Sequence, residues 1–282
     1  MKLLVRTPIF FSIETIYVYY MKYLGGKQRL GKHIAPILKE LWEINTTNQF
    51  QSYIEPFCGS LGVLKNMVDI PTAEIIANDY HPDLIQMWRD LQQNRLVYPA
   101  EITEEDYLYY KNVPSPNSLK AFVGFGMSFG GKFFSGFAQK YLNHKSEDFL
   151  KEMVHSLERI RPLITNVKFT CRDYTELTPR KSLIYCDPPY RFEKFPIKYR
   201  RDTKHYDEFD NDRFWNIMRE WSKENLVVIS EISAPDDFIE IWRHDSYRSP
   251  SQSKKTRFKG ESKAYKIEKL FVYNGTHPNY VF

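Results

Sequence analysis

The stretch from Ser52 to Asp79 constrains the fold more than any other part of the chain. Ser52-Tyr53-Ile54-Glu55 reads as a short strand, because aromatic and β-branched side chains suit a pleated, half-buried surface. Pro56-Phe57-Cys58-Gly59-Ser60-Leu61-Gly62 follows as a turn, and a helix is expected from there through Met67. Glu74-Ile75-Ile76-Ala77-Asn78 is a second strand, and it ends at an acid, Asp79. Strand, glycine turn, helix, strand and acid, in that order, form the first half of a nucleotide-binding α/β sheet. The turn is Gly-x-x-Gly, not Gly-x-Gly-x-x-Gly, so a pyrophosphate cradle is disfavoured. Asp79 follows Gly59 by twenty residues, a distance at which an acid commonly meets a ribose diol. Gly26-Lys27 is not a phosphate loop, since Gln28 stands where such loops need Ser or Thr.

A second strand end carries different chemistry. Leu183-Ile184-Tyr185-Cys186 is a short apolar run stopped by Asp187-Pro188-Pro189-Tyr190. Pro189 holds Pro188 extended and removes a backbone donor, so the turn offers acceptors: the Asp187 carboxylate and the Pro188 carbonyl. Tyr190 adds a flat ring. Two acceptors and a stacking face suit a planar group with an exocyclic amine, such as adenine. Taken alone, Asp-Pro-Pro also fits an ordinary strand-to-loop turn.

Elsewhere, Val167-Lys168-Phe169-Thr170 and Leu226-Val227-Val228-Ile229-Ser230 read as further strands. An amphipathic helix lies around Phe209–Trp221, and Tyr265 to Tyr273 alternates as an antiparallel strand near an edge does. Leu30, Ile34, Ile37 and Leu38 have helical spacing, interrupted by Pro36. Residues 91–164 change texture: Tyr- and Glu-rich helical stretches flank a Gly/Phe-rich segment from Gly124 to Gly136, as in an inserted helical subdomain. The expected division is therefore 21–90 with 165–282 as one α/β domain and 91–164 as the insert. Residues 1–20 read as an extension without assigned function, since Met21-Lys22-Tyr23-Leu24-Gly25-Gly26-Lys27 looks like a natural start.

No apolar run approaches the roughly 20 residues of a membrane helix, so no membrane partner is expected. Three cysteines, Cys58, Cys171 and Cys186, suit a reducing compartment better than a disulfide framework, and no metal-ligand spacing occurs. A net charge of +5 fits a polyanionic partner.

In order, Lys22-Tyr23-Leu24-Gly25-Gly26-Lys27, Glu55-Pro56-Phe57-Cys58-Gly59, Ala77-Asn78-Asp79, Cys171-Arg172-Asp173-Tyr174 and Tyr185-Cys186-Asp187-Pro188-Pro189-Tyr190 resemble the Dam-type family of DNA adenine-N6 methyltransferases, especially its phage-like members. The resemblance covers most of residues 21–273. It implies a Rossmann-like α/β sheet with an inserted target-recognition subdomain, S-adenosylmethionine as cofactor, double-stranded DNA as partner, no metal, a monomer in solution, and the cytoplasm of a bacterial or phage-infected cell. Tyr23, Lys27, Phe57, Gly59, Asp79, Asp173 and Asp187 align with cofactor positions, and Asp187, Pro188, Pro189 and Tyr190 with catalytic ones. Tyr23 could instead be core, Lys27 a solvated charge and Asp173 a helix cap. DNA-contacting candidates are Lys132, within the Gly/Phe-rich segment, then Arg191, Lys194, Arg200 and Arg201 after the catalytic turn, and Lys254, Lys255 and Arg257 in a second basic run. Glu231 stands where many family members carry Asn. Cytosine-N4 methylation shares the two-acceptor logic, but Asp rather than Ser at position 187 argues against it. The rival from another class is a catalytically silent DNA-binding protein of the same fold.

Overall fold

The computed structural model describes residues 21–45, 50–71, 74–138, 141–142, 145–146, 149–189, 209–247 and 265–282. In chain order the strands are β1 (Ser52–Glu55), β2 (Glu74–Asn78), the two-residue β3 (Tyr141–Leu142) and β4 (Lys145–Ser146), β5 (Val167–Thr170), β6 (Ser182–Cys186), β7 (Leu226–Glu231), β8 (Phe238–Tyr247) and β9 (Tyr265–Tyr273). The helices are α1 (Gly31–Ile44), α2 (Pro82–Gln92), α3 (Glu104–Asn112), α4 (Ser118–Gly126), α5 (Phe149–Ile160) and α6 (Asn211–Trp221). Seven strands share one sheet in the order β5-β2-β1-β6-β7-β9-β8, and β3 pairs with β4 apart from it. The first five are parallel, while β9 runs antiparallel to both neighbours. Strand order reverses between β1 and β6, where open α/β sheets leave a crevice at the carboxyl ends of the strands. No helix among the described residues is long and apolar enough to cross a membrane.

Side chains alternate across a strand, and the central strands are apolar on both faces because both are covered. Tyr53, Leu183, Tyr185, Leu226, Val228, Leu270 and Val272 pack under α1, α2, α4 and α5. Their chain neighbours Ile54, Ile184, Val227, Ile229 and Phe271 pack under α6, against Phe214 and Met218. The segment between β2 and β5 shares the first of these cores through Phe122, Val123, Met153 and Leu157.

Three features depart from the sequence reading. The helix expected through Met67 is only a 3-10 turn, Leu64–Asn66. The Asn66 side-chain amide takes the Gly62 carbonyl at 3.1 Å, the oxygen an α-helix would offer to the Asn66 backbone, whose N–H turns instead to Val63. Pro36 does not interrupt α1, because it sits on the exposed face while Ile34, Ala35, Leu38, Leu41 and Trp42 fill the buried one. The strand β8, outside β9, was not apparent in the sequence; it forms the sheet edge and carries an irregular register between Glu240 and Trp242.

Candidate active site

Alternation along four neighbouring strands brings polar residues to one end of one sheet face. Residues 53 and 55 of β1, 185 and 187 at the end of β6, 230 of β7 and 268 of β9 share the face of the first core, given the pairings Ile54 with Ile184, Cys186 with Ile229, and Ser230 with Leu270. Glu55, Asp187, Ser230 and Glu268 thereby gather at the crevice. Into them reaches Lys27, from the turn before α1. Its Nζ lies 2.6 Å from Asp187 Oδ1 and 3.5 Å from Glu268 Oε1. Ser230 Oγ donates to the same Glu268 oxygen at 2.6 Å. The Lys27 and Glu268 side chains are 2% and 3% exposed, so water screens neither. Lys27 is thus a buried counter-charge, not a solvated one.

The turn after β1 explains how Lys27 is held. A Cβ on Gly62 would stand 2.7 Å from the Lys27 carbonyl carbon, and one on Gly31 would stand 2.0 Å from the Gly62 oxygen. The two loops touch backbone to backbone, so the glycine at 62 permits a close approach to the chain itself. Gly59 has a φ of +45°, and the Tyr23 ring packs over its Cα. Asp79 Oδ2 accepts the Gly59 N–H at 2.9 Å, and its Oδ1 accepts the His81 N–H at 2.9 Å. The acid at the end of β2 therefore fastens the glycine turn after β1.

The remaining candidates fall around this frame. Phe57 is half-buried and meets Tyr174, Phe214 and Phe209 at centroid distances of 5.1, 6.0 and 6.1 Å, an aromatic wall on the second core. Tyr23 is half-buried against Phe125, with centroids 4.9 Å apart. Asp173 lies beyond the end of β5, where its carboxylate accepts the Thr175 N–H at 2.9 Å as an N-cap. Pro188 is buried and Pro189 half-buried. Lys132 is half-buried beside the turn Phe129–Gly131, and Gly131 accepts the Leu24 N–H at 3.2 Å, joining this turn to the Lys22–Lys27 loop. Tyr190, Arg191, Lys194, Arg200, Arg201, Lys254, Lys255 and Arg257 lie outside the described residues.

The site is crowded with acids. Burial pushes the Glu55 carboxyl well up; the Tyr53 hydroxyl, donating at 2.7 Å, opposes this, and the Asp187 charge reinforces it. Glu231, at the end of β7, is pushed up to about 7 by burial first; the Ile232 N–H opposes this, Asp187 adds to it, and Lys27 opposes it less strongly. Glu268 and Ser230 were not among the site residues singled out from the sequence, and Glu231 was noted only as a departure from the family's Asn. The available signal was an acid on the apolar face of an alternating strand, in step with Leu270 and Val272.

Acids gathered at the switch point of a mostly parallel sheet, beside a glycine turn that Asp79 fastens, define the class of fold: an open, Rossmann-like α/β sheet with its site at the carboxyl ends of the strands. The sequence matches the D12 class N6 adenine-specific DNA methyltransferase family over residues 23–123 and 127–257. The chain belongs to that family and is an adenine-specific DNA methyltransferase. No curated protein matches it. Among solved structures, it is similar to a candidate RNA methyltransferase of Pyrococcus horikoshii, with 11% identity and a TM-score of 0.35 over 85% of this chain and 81% of that one.

Proposed function

We propose that this enzyme transfers a methyl group from S-adenosylmethionine to the N6 of an adenine turned out of double-stranded DNA, with Asp187 and Pro188 gripping the amine. The observation that carries the reading is the buried contact between Lys27 and Asp187 at the crevice, 2.6 Å long. The residues present suit the donor. The Asp187 carboxylate, 18% exposed at the crevice, is the acid placed to face a cationic guest. Ser60 Oγ is buried in the glycine turn without a hydrogen-bond partner, a polar atom left for a ligand to satisfy. Bound there, S-adenosylmethionine would supply a methyl group activated by its sulfonium. Tyr23, Phe57 and Gly59 would form its floor, with Asp79 and Asp173 beside its nucleoside. Asp79 would meet a ribose through lone pairs that its two backbone bonds leave available.

The chain's own part is positioning and electrostatics. An adenine N6 is a poor nucleophile because its lone pair is delocalised into the ring. If both N–H groups donate, one to the Asp187 carboxylate and one to the Pro188 carbonyl, the nitrogen is held pyramidal with its lone pair directed at the methyl. Alignment of this kind contributes on the order of 7–11 kcal/mol. The same acceptors stabilise positive charge developing on nitrogen. Extruding the base costs a few kcal/mol, of which stacking on Tyr190 would return part. Lys132 and the basic residues after the catalytic turn would meet phosphates, and the helical segment 91–164 would face the target sequence.

The test is expression in cells that lack adenine methylation, followed by mapping of modified bases in their DNA. N6-methyladenine in a short motif, lost in Asp187→Ala, is the expected result. N4-methylcytosine, or no modification by the wild-type chain, would overturn the reading.

A further inference from the structure

The strand β9 lies outside every motif that carries the family resemblance, yet it supplies an acid buried at the crevice as deeply as Glu55 of β1. Glu268 sits on the face of Leu270 and Val272, with its Oε1 fixed by the Ser230 hydroxyl at 2.6 Å and set 3.5 Å from Lys27 Nζ. A lysine ammonium is a compact charge on a four-carbon stem and does not hold one direction unaided. Here it is drawn by two carboxylates, Asp187 at 2.6 Å and Glu268 at 3.5 Å. The second carboxylate does two things. It fixes where the ammonium sits, and it takes a share of a charge that also bears on Asp187. An acceptor fully engaged by a cation is a weaker acceptor for an amine. Packing does not require the arrangement, since a buried charge pair stabilises a fold little more than apolar side chains of the same shape do.

We propose that Glu268 is a positioning residue for methyl transfer: from β9 it holds the Lys27 ammonium at a fixed place beside Asp187 and so tunes how strongly Asp187 accepts the substrate amine. This rests on the reading of Asp187 as the amine's acceptor.

Glu268→Gln keeps the side chain's shape and its bond from Ser230 while removing the charge. The expected result is a fall in kcat of about tenfold at saturating DNA and S-adenosylmethionine, with the donor's Kd changed less than about threefold by calorimetry. Ser230→Ala, which loosens the anchor without touching the charge, should lower kcat in the same direction by less, and it carries the test if the glutamine variant does not fold. The decisive comparison is made on a Lys27→Met background, in single turnovers. Because Glu268 acts through Lys27, adding Glu268→Gln there should leave the rate unchanged or raise it. An equal fall on both backgrounds would overturn the proposal, as would wild-type kcat in Glu268→Gln. Asp187→Ala separates the two levels of failure. Methylation surviving Asp187→Ala removes the site reading itself, whereas a dead Asp187→Ala beside a fully active Glu268→Gln removes only the role given to Glu268.

Discussion

The two halves of the crevice hold carboxylates in opposite ways. At the ends of β1 and β2, Asp79 is satisfied by backbone: the Gly59 and His81 N–H groups each donate to one of its oxygens at 2.9 Å. At the ends of β6, β7 and β9, Asp187 and Glu268 share one lysine, and Glu55 and Glu231 stand close enough to feel the Asp187 charge. Fixed amide dipoles make the first half a rigid joint that sets the shape of the glycine turn. Charges shared between side chains make the second half an electrostatic device centred on Lys27. Acids at one sheet edge therefore divide their work: Asp79 fastens the glycine turn, and on the proposed reading the others face the reaction.

The largest effect that could break this division is on turnover. Asp187→Ala removes the carboxylate on the reacting side without disturbing the β1–β2 joint. Methylation should fall roughly 10²–10³-fold or more while the donor still binds detectably by calorimetry. If donor binding and rate vanish together, the halves are not separable. Gly62→Ala attacks the contact through which the joint holds the charged half. Its new Cβ would meet the Lys27 backbone at 2.7 Å, so both loops must part. A loss of roughly 3 kcal/mol in denaturant unfolding is expected, with weaker donor binding. Wild-type stability in the Gly62→Ala enzyme would show that Lys27 does not depend on that contact.

The halves also differ in how far they could be read without coordinates. Gly59, Asp79 and Asp187 were legible because each follows a strand recognisable from its own few residues, and strand ends are where an α/β sheet gathers chemistry. Lys27 was legible as a candidate but not as a buried charge. Its burial depends on Gly31 and Gly62 meeting, a contact between segments that no local pattern links. Glu268 lies in Tyr265-Lys266-Ile267-Glu268-Lys269, where alternating charge suggests a solvated edge. Its place inside the sheet, with β8 outside it and Leu270 and Val272 in the first core, makes that face interior. The helix assigned after Gly62 failed for a similar reason, since the amide of Asn66 competes for the carbonyl a helix needs. Asp173 was legible as a helix cap, and its carboxylate does accept the Thr175 N–H.

Glu231 sharpens the comparison through pH. Its carboxyl is raised from 4.5 to about 7 in the folded enzyme, chiefly by burial, so the native state holds that proton more tightly than the unfolded chain does. The sign follows: its favourable contribution is complete below the ordinary pKa and is lost as pH rises through about 7. Glu231→Gln imitates the protonated form and can still accept the Ile232 N–H. It should match the wild type in thermal stability near about pH 5 and exceed it by on the order of 2 kcal/mol near pH 8. A difference that does not change with pH would mean that burial does not hold the Glu231 carboxyl above its ordinary range.

The smallest effect concerns Lys132, proposed above to meet a phosphate. Lys132 sits beside a turn that Gly131 ties to the Leu24 N–H, so it belongs mechanically to the cradle half although it comes from the segment between β2 and β5. If it meets a phosphate there, Lys132→Ala should weaken binding several-fold on every sequence and lower the slope of log K against log salt by about 1, with donor affinity unchanged. If the substitution instead changes which motif is methylated and leaves the salt slope intact, Lys132 reads bases, and the cradle half carries specificity as well as the cofactor. That outcome would shift the division of labour, because the rigid joint would then align donor and target sequence together while the charged half did chemistry alone.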